Sequence, residues 1–190
     1  MRAFIEGELN SKIKRELLNN LKRIQIDHSG IRWQKEDQLH LTLIFLSNIS
    51  QRQAQRAATI LDRSSNHFQP FLASFNGLGC FKYRRKLKII FAEIDQGREQ
   101  LIKLQADLLK NLAEDNFHLE QRRFYPHLTL ARIKNVDLSI NQEIERSIKK
   151  IDLRVKFRLK TLNLTVSRLF KEGAKYGIIE SVNLASKRKN

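Results

Sequence analysis

The chain has 190 residues, 41% of them hydrophobic, with 36 Lys and Arg against 20 Asp and Glu, a formal net charge of +16. That length suits one domain, or two small lobes sharing a core, and the apolar content favours a globular chain over a disordered one. No apolar run reaches membrane-spanning length, the opening MRAFIEGELN lacks a signal-peptide layout, and the single cysteine, Cys80, excludes an intrachain disulfide and a cysteine-built zinc site.

In chain order, Arg2–Leu9 alternates as a strand does, and Ser11–Ile26 places Ile13, Leu17, Leu18, Leu21 and Ile24 at helical spacing. Ile31–Gln34 and Leu39–Leu46 read as strands, and Ser50 as the N-cap of a helix through Arg63. Phe68–Phe81 and Leu87–Asp95 read as strands around the basic loop Lys82–Lys86. Leu101, Leu104, Leu108, Leu109 and Leu112 mark a third helix, His127–Ile133 a strand, and Gln142–Lys149 a short helix. Leu153–Phe170 and Tyr176–Leu184 finish the chain as strands, before a basic tail, Ser186–Asn190, expected to fray. No Pro-, Gly- or Ser-rich linker divides residues 1–190, so one two-lobed α+β domain is expected.

One tetrapeptide, His-Leu-Thr-Leu, occurs twice, at 40–43 and 127–130. In a strand, residues i and i+2 share a face. His40 and Thr42 then share one face while Leu41 and Leu43 are buried behind them, and His127, Thr129, Leu128 and Leu130 repeat the pattern. A lone His-x-Thr in a strand is more often structural. Two copies, each among helices and apolar strands, suggest two pseudo-symmetric lobes, each an antiparallel sheet backed by helices, with both pairs facing a central cleft.

Such a cleft suits in-line displacement at phosphorus. One imidazole takes a proton from water while the other gives one to the leaving oxygen, and either histidine can serve either role. The two threonine hydroxyls can donate to non-bridging phosphate oxygens. The strong positive charge fits a polyanionic partner, nucleic acid above all.

The chain resembles the RNA 2′,3′-cyclic phosphodiesterase family, also called the 2′-5′ RNA ligase family, of the two-histidine phosphoesterases. The similarity runs through RAFIEGEL, IRWQKEDQLHLTLIFLSNI, GLGCF with KIIFAEI, RRFYPHLTLARI and LTVSRLFKEGAKYGIIE. It implies His40 as proton donor and His127 as proton acceptor. It implies opening of a 2′,3′-cyclic phosphate at an RNA end, tRNA fragments among the candidates, to a 2′-phosphomonoester, with no metal or organic cofactor. Arg132 matches the family's phosphate-holding arginine, although strand parity puts it on the face opposite His127 unless a bulge intervenes. The chain departs from the family at Ser47, where Gly is common, and at Lys35, Glu36 and Arg123, where prolines are common. Alternatives are ATP-independent 2′-5′ ligation or 2′-5′ phosphodiester cleavage in the same cleft, and a non-catalytic RNA-end-binding module. A cytoplasmic monomer is expected.

Trp33 and Phe124 are candidates for base stacking or for packing in the cleft wall. Arg122, Arg123, Lys82, Arg84, Arg85 and Lys86 are candidate electrostatic guides for RNA, or solvated surface charge. Cys80 reads as a core residue, and His28, His67 and His118 carry no partner pattern.

Overall fold

The computed structural model describes residues 1–22, 29–84, 86–119, 122–134, 136–170 and 173–185. Within them the chain runs β1 (Arg2–Gly7), α1 (Ser11–Leu21), β2 (Ile31–Trp33), β3 (Leu41–Asn48), α2 (Gln51–Ser65), β4 (Phe71–Tyr83), β5 (Lys86–Ile94), α3 (Arg98–Glu114), β6 (His127–Ile133), α4 (Leu138–Lys149), β7 (Arg154–Leu159), β8 (Thr161–Phe170) and β9 (Gly173–Asn183). A single 3₁₀ turn, Glu36–Gln38, precedes β3.

Local chemistry sets the helix starts. The Asn10 side chain accepts from the Ile13 amide at 3.0 Å, and Ser50 and Gln53 cap α2 reciprocally at 3.2 and 2.9 Å. The predicted extension of α1 to Ile26 lies outside the described residues. α4 begins at Leu138, four residues before the predicted start.

All pairings in the two sheets are antiparallel: β3-β1-β8-β9 in one, β2-β6-β5-β4-β7 in the other. Helices α2 and α3 pack on the first sheet, α1 and α4 on the second. The lobes are therefore not contiguous halves of the chain. Helix α1 leaves β1 to cover the other sheet, and α3 leaves β5 to do the same in reverse. One apolar cluster, including Ile5, Leu17, Phe75, Leu104, Leu130 and Leu164, runs through both lobes. Fully burying each such side chain contributes about 1.5–3 kcal/mol.

The predicted strand Leu153–Phe170 is two strands in different sheets. Leu159 pairs with Phe71 of β4, while Thr161 pairs with Asn183 of β9. The chain crosses between lobes at Lys160, and apolar alternation on both sides hides the crossing.

Candidate active site

Strands β3 and β6 lie against each other where the two sheets meet. Leu41 and Leu43 are buried with Thr42 half-exposed between them, and Leu128, Thr129 and Leu130 repeat this, as the alternation requires. His40 lies just before β3, so the predicted strand begins two residues early there, whereas His127 is the first residue of β6.

The rings are held alike. His40 Nδ1–H donates to the Gln38 carbonyl and His127 Nδ1–H to the Tyr125 carbonyl, each at 2.7 Å and each two residues back. A carbonyl can only accept, so both neutral rings carry their proton on Nδ1 and keep Nε2 for chemistry. His40 packs on Phe4 and Tyr176, with centroids 4.7 and 4.9 Å away. His127 packs on Phe81 and Phe91 at 4.9 and 5.3 Å.

Burial pushes His40 down to about 4, partly offset by the Gln38 carbonyl, with the positive charges of Lys14, Arg132 and His127 adding to the fall. Burial also lowers His127, offset by the Tyr125 carbonyl and reinforced by Arg132. Near neutral pH both imidazoles are thus uncharged. An anion between them would reverse the balance.

A bulge resolves the parity of Arg132. The register passes from Ile90↔Ala131 to Phe91↔Thr129, so Leu130 is an extra residue. Leu130 and Ala131 are both fully buried, and Arg132 returns to the face of His127 and Thr129. Its charge is felt at His40, His127 and Tyr176. Strand β3 carries the same bulge: Ile5↔Ile44 is followed by Glu6↔Thr42, and Phe45 turns to the side of Thr42, 59% exposed.

Sequence reasoning missed three residues around the two histidines. Phe45 lies five residues after His40, as Arg132 lies five after His127. Gln38 positions His40: besides the carbonyl bond, its Nε2 donates to the Ala174 carbonyl at 3.2 Å and its Oε1 accepts from the Lys35 amide at 3.2 Å. A proline at 35 would have no amide to give. Glu6 faces Thr42 across the strands and accepts from Thr165 Oγ1 at 3.2 Å, and burial raises its pKa against bonds from Asn163 and Thr165. A second repeat signalled this row: Phe4-Ile5-Glu6 in β1 echoes Phe91-Ala92-Glu93 in β5.

Other candidates lie elsewhere. Trp33 pairs with Ala131, out of phase with Arg132, and both Trp33 and Phe124 pack against the core. Lys82 forms an ion pair with Glu145 at 2.7 Å, Arg84 stacks over Tyr83, Lys86, Arg122 and Arg123 are exposed, and Arg85 lies outside the described residues. Cys80 packs against the core and burial raises its pKa, so a thiolate is disfavoured. His67 pairs with Asp107 and His118 is exposed, while His28 is outside the described residues. Among the described residues no His, Cys, Asp and Glu group of three or more could hold a metal ion, and no helix is long and apolar enough to cross a membrane.

The model of the 2′-5′ RNA ligase superfamily matches residues 13–169. The chain is 28% identical over 134 residues to an RNA 2′,3′-cyclic phosphodiesterase of Thermotoga maritima, covering 70% of this chain and 71% of that protein. It is 25% identical over 186 residues to the Aquifex aeolicus protein of the same name, covering 97% of each. Among solved structures, TT0787 of Thermus thermophilus superposes with a TM-score of 0.80 at 22% identity over 99% of this chain and all of that one. Escherichia coli LigT complexed with 3′-AMP superposes with a TM-score of 0.75 at 19% identity over 97% and 98% of the two chains.

Proposed function

Since this chain belongs to the 2′-5′ RNA ligase superfamily, we propose that it hydrolyses RNA 2′,3′-cyclic phosphate ends to 2′-phosphomonoesters by general acid–base catalysis between His40 and His127. The observation that carries this reading is the matched pair of Nδ1-to-carbonyl bonds, 2.7 Å in each lobe, which leaves two Nε2 atoms for one cleft.

His127 Nε2 takes a proton from water, the water oxygen bonds to phosphorus, and the P–O3′ bond breaks. His40 Nε2 gives its proton to the departing O3′. His127 ends charged and His40 neutral, and solvent exchange resets them. His40 is charged at the outset because the bound phosphodiester anion offsets the desolvation that lowers its pKa. Thr42 and Thr129 hydroxyls and the Arg132 guanidinium take the non-bridging oxygens, where negative charge grows. No step calls on a metal ion.

The test is RNA ending in a 2′,3′-cyclic phosphate, incubated in excess chelator. A 2′-phosphate product is expected, with turnover reduced ~10²–10⁴-fold in His40→Ala and in His127→Ala. A 3′-phosphate product would reverse the leaving oxygen, and dependence on added metal would refute the mechanism. RNA binding without conversion would favour the end-binding module, and joining of RNA ends without ATP would favour ligation.

A further inference from the structure

We propose that Tyr176 is a further catalytic residue, whose hydroxyl donates a hydrogen bond to a non-bridging oxygen of the reacting phosphate on the His40 side of the cleft. This rests on the hydrolase reading and adds to it a donor from a strand outside the two His-Leu-Thr-Leu motifs.

Tyr176 lies in β9 and pairs with Ser167 of β8. Two residues on, Ile178 pairs with Thr165, whose hydroxyl donates to Glu6 on the cleft face. Residues two apart in a strand share a face, so Tyr176 stands on the cleft face as well. The serine opposite it is short, and the tyrosine ring reaches across β8 to Phe4 of β1, with centroids 5.3 Å apart and planes at 83°. It meets His40 at 4.9 Å and 79°.

Each imidazole thus has a ring set nearly perpendicular to it at the same separation, since Phe81 stands 4.9 Å from His127 at 89°. The two rings come from non-equivalent strands, β9 and β4, and only Tyr176 carries a hydroxyl. Tyr125, the tyrosine near His127, is 6.5 Å from that ring and lies under the Arg98 guanidinium. Phenylalanine suffices to pack one imidazole, so packing does not account for the oxygen beside the other. Among the described residues no protein group hydrogen-bonds the Tyr176 hydroxyl.

Tyr176 is half-buried, and burial raises its pKa above the usual phenol range, with Arg132 opposing. The hydroxyl therefore stays a donor wherever the imidazoles change charge. Arg132 belongs to the other lobe, and its charge is felt at this hydroxyl and at both imidazoles. Hydroxyl and guanidinium thus flank the reacting centre from opposite sheets. Negative charge grows on the non-bridging oxygens as water attacks, and a donor fixed there stabilises the transition state. The proton stays on the tyrosine oxygen throughout.

The experiment measures kcat/KM for adenosine 2′,3′-cyclic phosphate and for the two diastereomers of its cyclic phosphorothioate. Tyr176→Phe removes one oxygen and keeps the ring against His40. It should reduce kcat/KM on the phosphate about 10–100-fold. Sulfur accepts hydrogen bonds weakly, so the loss should shrink in the diastereomer whose sulfur takes the place facing the hydroxyl and persist in the other. Wild-type turnover by Tyr176→Phe, or an equal loss on both diastereomers, overturns the proposal and leaves the ring as packing. If wild type converts no cyclic phosphate, the hydrolase reading falls, and titration with inorganic phosphate decides the contact on its own: weaker binding to Tyr176→Phe upholds it, equal binding overturns it.

Discussion

Phe45 and Arg132 occupy equivalent places in the two lobes, each five residues beyond a cleft histidine and each returned to the cleft face by a one-residue bulge. The backbone treats them alike, and their chemistry differs: a ring with 59% of its surface exposed on one side, a guanidinium on the other. A pseudo-symmetric cleft acquires direction from such a pair.

On the proposed reading, the exposed Phe45 ring stacks on a nucleobase of the substrate. Stacking on an aromatic ring is worth about 1–3 kcal/mol per base. Phe45→Ala should raise KM for a cyclic-phosphate substrate about tenfold, with a smaller effect on kcat, while Phe45→Trp keeps KM near wild type. Steady-state kinetics on both variants check this. A fall in kcat at unchanged KM would mean that the ring supports His40 through Phe4, 6.1 Å from it, instead of touching substrate.

The buried imidazoles tie stability to pH. Unfolded, His40 takes up its proton near 6.5, whereas burial delays protonation to about 4 in the folded chain. Between these values the unfolded chain binds more protons, so stability falls as the pH drops from 6.5 to 4, by roughly 3 kcal/mol for this ring. His127 acts in the same direction. Urea unfolding across that window should show a shallower pH dependence in His40→Gln. Inorganic phosphate should move the His40 NMR titration upward from its free midpoint, and a midpoint near 6.5 without phosphate would remove the basis for both expectations.

Sequence patterning exposed the paired motifs because strand alternation is local: Leu41 and Leu43, like Leu128 and Leu130, must be buried for His and Thr to face outward. Helix faces were legible for the same reason, as Leu101, Leu104, Leu108 and Leu112 show. A bulge depends on how a strand counts against its neighbour. No pattern within 127–133 alone separates the extra Leu130 from a regular strand, so the face of Arg132 needed the register with β5. The crossing at Lys160 was hidden because both lobes continue the apolar alternation through it. The Phe-x-Glu echo is local and was within reach of the same patterning. Gln38 was not readable, since its partner Ala174 lies 136 residues away.

Gln38 makes its own prediction. Its side chain ties the 3₁₀ turn to β9, and its carbonyl sets the tautomer of His40. Gln38→Leu fills similar space without the side-chain bonds to Ala174 and Lys35 and keeps the backbone carbonyl whose position they fix. kcat should fall about tenfold with KM little changed, and the acidic limb of the pH–rate profile should shift, because the turn that holds the backbone carbonyl against the ring loosens and that carbonyl opposes desolvation. Gln38→Glu, which keeps the acceptor for the Lys35 amide, should retain more activity than Leu. Loss of thermal stability with an unshifted pH profile would assign Gln38 to packing alone.

Ser47 sits at φ 58° at the end of β3, where the related family commonly carries glycine. A left-handed conformation costs a non-glycine residue about 1–2 kcal/mol. Glycine would relieve that cost but adds about 0.5–1 kcal/mol of unfolded-state entropy. The relief wins by roughly 0.5–1 kcal/mol, and because the Ser47 side chain is exposed, little packing is lost in exchange. Ser47→Gly should raise Tm by about 2 °C, while Ser47→Ala, which keeps a Cβ at the same φ, should not. Calorimetry on the two variants separates the backbone from the hydroxyl: equal gains in both would show that removing the hydroxyl, and not relaxing the backbone, is what stabilises this end of β3.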